Sequence, residues 1–144
     1  MMIIPSLRSG GAERQLEYLS RELASRGHLL RVVTVMKTDG GPPDWGEVAI
    51  ENLEFGSNYH PGIIPGILKR IRIFGPELIQ TWNPQTDICG GTAAIMRRIP
   101  WIVREPISRD FYRRGWKAVL RARLAARARA IISNSDGGDA YWGK

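Results

Sequence analysis

Short apolar segments alternate with amphipathic ones along the whole chain, and this alternation limits its fold more than any other feature. The run 29–36 is rich in β-branched residues and nearly all apolar, which is typical of a parallel strand buried on both faces. Further strands are predicted at 2–5, 48–53, 77–81, 101–103 and 130–133. Alternation of this kind predicts an α/β protein with a Rossmann-like open parallel sheet and helices on both faces.

Four helices are predicted between these strands, at about residues 9–26, 63–74, 86–97 and 110–129. Ser9 is the expected N-cap of the first helix, with Glu13 in its first turn and Gly27 after its end. In the last helix an apolar stripe is predicted to face the core, formed by Trp116, Leu120, Leu124 and Ala128.

The charge of this chain is uneven. The 144 residues carry a net charge of +7, and basic residues crowd the segment 97–129, where only Glu105 and Asp110 oppose them. Such a segment indicates an anionic partner, either a membrane surface, nucleic acid or a phosphorylated substrate, or else an ordinary solvated helix face. No apolar run reaches the ~18 residues of a membrane span, and residues 1–7 lack the basic flank of a signal peptide.

Ligands of open parallel sheets bind beyond the carboxyl ends of the strands, and a glycine pair lies at one such end. Gly10 and Gly11 follow the first strand and open a helix, so backbone N–H groups point at whatever approaches. Phosphate binding and a plain tight turn are both compatible with this pattern. The segment is neither GxGxxG nor a P-loop, since no Gly-Lys-Ser/Thr follows.

Polar residues follow the later strands as well. Trp82, Asn83 and Gln85 are candidates for a sugar platform, or else for a packing tryptophan and a helix start. Arg104 and Glu105 are candidates for holding a phosphate and accepting from hydroxyls, or else for a surface ion pair of little energetic value.

Two further polar residues, Asn134 and Ser135, follow the last predicted strand. They are expected to hydrogen-bond a ligand or simply to cap the next helix.

Several chemistries find no support in the pattern. His28 and His60 each stand alone and outside the strand-end loops, which argues against a metal site or a Ser-His-Asp triad. Cys89 is the single cysteine, so no internal disulfide can form, and its small-residue helix favours a core position over a nucleophile. Neither a metal nor a cofactor is therefore expected.

These residues resemble a known family. The opening IPSLRSGGAER at residues 4–14 is similar to that of family 4 glycosyltransferases, a retaining group with the GT-B fold. Weaker similarities lie at 76–82, 100–106 and 131–135, so the resemblance covers essentially the whole chain.

The resemblance implies the amino-terminal, acceptor-side domain of a two-domain enzyme with a nucleotide-sugar as substrate. By the same resemblance, Gly10 and Gly11 reach the donor diphosphate. The candidates at the other strand ends are expected at the acceptor side or in the cleft: Trp82, Asn83, Gln85, Arg104, Glu105, Asn134 and Ser135. The implied acceptor is a glycan or lipid-linked molecule. The implied location is cytoplasmic, peripheral at the inner face of the membrane, through the arginine-rich segment.

The chain departs from the family pattern in three ways. Its first strand is short, and it lacks the histidine that many members carry after the strand ending at Thr81. Residues 1–144 are also expected to lack the final strand of the domain and the whole donor-binding domain. Because glycosyl transfer needs the leaving diphosphate stabilised, this chain alone is expected to be inactive in a radiolabelled sugar-transfer assay.

Three other functions compete with this interpretation. One is a non-catalytic, acceptor-binding or accessory half that pairs with a separate donor subunit, which co-purification would test. A second is a basic nucleic-acid-binding domain, but the aromatic residues among the arginines are few and no nucleic acid is expected. The glycine turn argues against the third, a nucleotide-sugar epimerase of similar fold.

Overall fold

The computed structural model describes residues 1–8, 10–37, 41–105 and 115–143. Strands and helices alternate in chain order: β1 (Met2–Ile4), α1 (Gly11–Ser25), β2 (Arg31–Met36), β3 (Ala49–Phe55), α2 (Ile63–Phe74), β4 (Ile79–Trp82), α3 (Pro84–Arg97), β5 (Trp101–Glu105), α4 (Trp116–Ala125), β6 (Ala130–Ser133) and α5 (Asp136–Trp142). The strands form one parallel sheet in the order β3-β2-β1-β4-β5-β6. The predicted Rossmann-like fold is thereby confirmed.

Both faces of the central strands are covered. Met2 and Ile4 of β1 face α1 and pack against Leu16, whereas Ile3 between them faces the opposite side. That second side is covered by α2 and α3, with Ile67 of α2 fully buried there. Because successive strand residues point to opposite faces, one three-residue strand contributes to two cores.

Helix α2 has the bounds that the sequence predicts. Ile63, Ile67 and Ile71 are buried at a spacing of four residues, and Gly75 ends the helix in the left-handed conformation with φ 63°. Gly75 satisfies the last turn through an N–H donated to the Ile71 carbonyl. Its conformation favours glycine because a Cβ strains φ values in this range.

The predicted stripe of α4 is wrong in one respect. Trp116, expected in the core, is 71% exposed, and the buried residues of the helix are Arg121 and Ala125. The alanines of this helix allow a close approach to α3, and that approach places Arg121 rather than a large apolar side chain in the interior. The predicted start of the helix at Asp110 lies outside the described residues.

Candidate ligand cleft at the carboxyl edge

The order of the strands shows where a ligand crevice is expected. β1 pairs with β2 on one side and with β4 on the other, so the chain changes direction across the sheet between β1 and β4. Ligands of doubly wound folds bind at such a switch point, beyond the carboxyl ends of the strands. The glycine turn after β1 and the Trp82-Asn83 turn after β4 flank this point.

Neither the backbone conformation nor the described contacts require glycine at positions 10 and 11. Gly10 is extended, with φ −148°, and Gly11 begins α1, so neither needs a conformation that excludes other residues. A Cβ on Gly10 would only displace the flexible Glu13 carboxylate, and a Cβ on Gly11 would meet nothing within 4 Å. A closely approaching ligand would explain why no side chain projects here. Gly10, not Ser9, holds the N-cap position, and Ser9 lies outside the described residues.

Arg104 lies beneath this turn. It is the last but one residue of β5 and lies directly opposite Trp82 of β4, so both side chains point toward α1. Its guanidinium donates to the Gln15 side chain of α1 and, at 2.5 Å, to the Glu105 carbonyl, and lies 5.2 Å from the centre of a Trp82 ring.

All these described partners of Arg104 are neutral, and no described carboxylate is within ion-pair distance. Arg104 is only 6% exposed, and burial lowers the pKa of its guanidinium. The described hydrogen-bond partners of this buried cation are neutral, so it creates a positive potential one helical turn from Gly11, which the charge of Glu105 partly offsets. An anionic ligand at the switch point would supply a direct counter-charge.

Of the two alternatives for Trp82, the structure shows the packing tryptophan and not the exposed sugar platform. Its side chain is 1% exposed and packs with Met2, Ile4 and Leu16. The reason is that β4 extends to Trp82 and every residue of this central strand is covered on its own face. The indole therefore supports the floor of the crevice and offers no free face to a sugar.

Asn83 is half-buried and lies at the switch point, where it is the N-cap of α3 directly after β4. It adopts φ 85° and ψ 149°, a region that is essentially restricted to glycine and costs of order 1–3 kcal/mol. Pro84 follows at the first position of α3, and the Asn83 carbonyl accepts from Asp87 N and from Thr86 Oγ1. Backbone strain of this kind is concentrated at functional sites, which keeps Asn83 a candidate.

Glu105 is not an accessible cleft carboxylate. Next to Arg104 on β5, it points to the other face of the sheet and is fully buried. Its carboxylate accepts from Arg121 at 2.8 Å and from the Trp142 indole at 3.0 Å. The alternative of a surface ion pair between Arg104 and Glu105 is therefore wrong, because both side chains are buried and lie on opposite sides of β5.

A charge cluster that the sequence interpretation missed surrounds Glu105. Arg121 also donates to Asp87 at 2.7 Å, and Asp87 accepts a hydrogen bond from Thr81 at 2.5 Å. Both carboxylates are 0% exposed. Burial raises the pKa of Asp87 to about 6, against the opposing influence of Arg121. The sequence signal for this cluster is an arginine at 121 between alanines at 118 and 125, a spacing that places all three on one face of a helix.

The remaining predicted residues lie apart from the crevice. Ser135 caps α5 by accepting from the Gly138 N–H at 3.1 Å, and Asn134 is exposed beside it, beyond the edge strand β6. Gln85 lies in α3 and donates to the Asn58 carbonyl at 3.4 Å. The topology therefore places Gly10, Gly11, Asn83 and Arg104 at the carboxyl ends of the neighbouring strands β1, β4 and β5, and a ligand role for each predicted residue stays a prediction.

Cys89 and His60, which were considered as a nucleophile and a metal ligand, make contacts that hold the fold together. Cys89 is buried in α3, as predicted, and burial raises its thiol pKa to about 12. His60 stacks on Phe55 and accepts from the Gly62 N–H at 3.0 Å. In the described part of the chain, no three His, Cys, Asp or Glu side chains are placed to hold a metal ion. Within the described ranges, no helix has the length and apolar character of a membrane span.

A comparison with the profiles of known protein families identifies the family of this chain. Residues 9–139 match the profile of Glycosyltransferase Family 4. The chain belongs to this family. The match includes the glycine turn, the end of β4 and the arginine at the end of β5. Among curated proteins, none matches the sequence significantly.

Solved glycosyltransferases share the fold of this family 4 chain. Anabaena HepE in complex with UDP and glucose superposes with a TM-score of 0.71 at 18% identity, over 98% of this chain and 39% of HepE. MurG of Acinetobacter baumannii superposes with a TM-score of 0.61 at 14% identity, over 95% of this chain and 41% of MurG. The chain thus spans about two fifths of the length of these structures and corresponds to one half of a GT-B fold.

Proposed function

We propose that this family 4 chain is the amino-terminal, acceptor-side half of a retaining glycosyltransferase that uses a nucleotide-sugar donor. The observation that carries the proposal is the glycine turn at the switch point, one helical turn from the buried cation of Arg104. N–H groups at a helix start and a buried guanidinium are the groups that stabilise a diphosphate as it leaves. The complex of HepE with UDP and glucose supports a nucleotide-sugar as the ligand.

The acceptor and the remaining half of the enzyme are part of the same proposal. We propose a glycan or lipid-linked acceptor and a donor-binding domain that follows in the same protein or is supplied by a separate subunit. Reading the coding sequence beyond Lys144 tests the first arrangement, and co-purification tests the second. Detecting radiolabelled sugar transfer by the chain alone would contradict the assignment to one half of the cleft.

Exposed arginines support the proposed peripheral location at the cytoplasmic face of a membrane. Arg97 ends α3, Arg123 lies in the last turn of α4, and Arg127 and Arg129 follow that helix; all four are exposed. Such a surface attracts anionic lipids, and the attraction weakens with salt. Sedimentation with phosphatidylglycerol vesicles that is no stronger at low salt than at high salt would remove this part of the proposal.

Replacing Gly11 with alanine is expected to weaken diphosphate binding at least about tenfold, equivalent to losing one hydrogen bond to a charged group. The added methyl meets nothing in the described protein, so the fold should be unaffected and the loss should come from the ligand. Binding of UDP and of pyrophosphate is measured by amide chemical shifts, which should move at Gly10, Gly11 and Gln15.

The matched control is Gly56→Ala, because a Cβ at this exposed loop glycine also meets nothing within 4 Å. It should leave both affinities unchanged. Equal affinities for the Gly11→Ala variant and the parent chain, or shifts confined to residues away from the glycine turn, would contradict the proposed diphosphate site.

A further inference from the structure

A second concave site lies on the other side of the sheet from the glycine turn. It is a cavity of about 350 Å³ whose walls come from three segments that follow carboxyl ends of strands. The loop before α2 contributes Asn58 and Tyr59, α3 contributes Gln85 and Ile88, and α4 contributes Trp116 and its neighbours. Helices α3 and α4 pack on the face opposite α1, so the cavity is separate from the crevice at Gly11.

A cation is held between two exposed aromatic rings at the rim of this cavity. Tyr59 and Trp116 are 74% and 71% exposed. The Lys117 ammonium lies 4.0 Å from the Tyr59 ring centre and 5.6 Å from the Trp116 ring centre, and it donates to the Tyr59 hydroxyl at 2.6 Å. These contacts fix the position of the charge, so less conformational entropy is lost when an anion binds to it.

The floor of the cavity is apolar. It is formed by Pro84, Ile88, Cys89, Ala118 and Leu120. No Asp or Glu is among the described lining residues. Arg121 also lines the cavity, but its guanidinium is paired with the buried carboxylates of Asp87 and Glu105, which leaves Lys117 as the exposed cation of the described lining.

Most of the exposed lining is apolar, and one of the polar groups in the wall, the Gln85 amide, donates to the Asn58 carbonyl at 3.4 Å. A sugar ring needs several convergent polar partners, whereas an apolar chain needs none.

From this combination we infer that the cavity binds an amphipathic anion. Its apolar body lies against Ile88 and Leu120, and its single anionic head group contacts Lys117. The inference goes beyond the proposed function, because it requires neither glycosyl transfer nor the glycine turn. A soluble alkyl phosphate and a phosphate-bearing lipid both have this chemistry.

The exposed Trp116 provides a direct readout of occupancy, since Trp45, Trp82 and Trp101 are buried and the half-buried Trp142 does not line the cavity. Titration with octyl phosphate below its micelle concentration should produce a saturable blue shift of tryptophan emission and protection from iodide quenching. Octyl glucoside has the same chain without the charge and should bind about fivefold more weakly, the effect of one solvent-exposed charge pair. Calorimetry with the Trp116→Phe variant checks binding independently of the reporter.

Charge removal at the rim supplies the decisive comparison. Lys117→Gln should weaken octyl phosphate binding about fivefold. The matched control is Lys69→Gln, at an exposed lysine of α2 that does not line the cavity, and it should have no effect. Equal affinity of octyl phosphate and octyl glucoside, equal affinity of the Lys117→Gln variant and the parent chain, or absence of saturable binding in both measurements would overturn the inference.

Vesicles distinguish the two sources of the ligand. Binding to phosphatidylglycerol vesicles that the Lys117→Gln substitution weakens and the Lys69→Gln substitution does not would support the site and assign it to a lipid head group. Lys117-dependent binding of octyl phosphate without such vesicle binding would support the site and assign it to a soluble amphiphile.

Discussion

Replacing Arg121 with methionine is expected to lower the free energy of unfolding by about 3–5 kcal/mol. The guanidinium lies between Asp87 and Glu105, with donor–acceptor distances of 2.7 and 2.8 Å, and both carboxylates are fully buried. Methionine would fill the space but would leave two carboxylates in the interior without their shared cation. Because a whole domain is stable by only about 5–15 kcal/mol, urea denaturation should show a large shift of the midpoint.

Arg123→Met is the matched control for this substitution. Arg123 lies two residues further along α4 and is exposed, so its removal should change the free energy of unfolding by no more than about 0.5 kcal/mol. A combined variant with Arg121→Met, Asp87→Asn and Glu105→Gln should recover much of the loss, because no buried charge is then left unpaired. Equal losses for the two arginine variants would show that Arg121 does not stabilise the interior in this way.

The cluster around Arg121 holds together elements at the carboxyl edge of the sheet and the helix that carries the rim of the cavity. Asp87 is in the first turn of α3 and Glu105 ends β5, so one side chain of α4 fixes the positions of two elements at the carboxyl edge. Trp116 and Lys117 begin the same helix α4. The position of the rim of the cavity therefore depends on a buried ion pair formed one turn below it.

The sheet, most of its helices and their order could be predicted because their signals are local. The bounds of α2 follow from isoleucines four residues apart and from the Gly75-Pro76 stop. The bounds of β6 also agree with the prediction. In these elements the residues that decide the structure are neighbours in the chain.

The side-chain surroundings could not be predicted because they depend on distant partners. For Trp82 the sequence left a sugar platform and a packing tryptophan open, and the side chain is buried, whereas Trp116 was expected in the core and is exposed. An arginine on the inner face of α4 makes sense only when Asp87, 34 residues earlier, and Glu105, 16 residues earlier, lie opposite it. The cavity beside Lys117 is likewise built from three segments that the sequence pattern does not bring together.

Asp87 is expected to make the protein more stable on acidification from about pH 7 to about pH 4, relative to a variant without this carboxyl. Burial raises the pKa of Asp87 to about 6 in the folded protein, above its ordinary value of 3.8. Between these two values the folded protein holds a proton that the unfolded chain releases. The stabilisation is therefore complete below about pH 4 and is lost as the pH rises through about 6.

Urea denaturation of the parent chain and of Asp87→Asn across this range measures the effect. A difference of about two pKa units corresponds to roughly 3 kcal/mol, so the parent should gain that order of stability relative to the variant on acidification. Glu77→Gln removes an exposed carboxyl just before the start of β4, and its stability should change with pH as that of the parent does. If the parent and Asp87→Asn have parallel pH profiles, or if the parent loses stability relative to that variant, the buried Asp87 carboxyl does not hold its proton in the folded state.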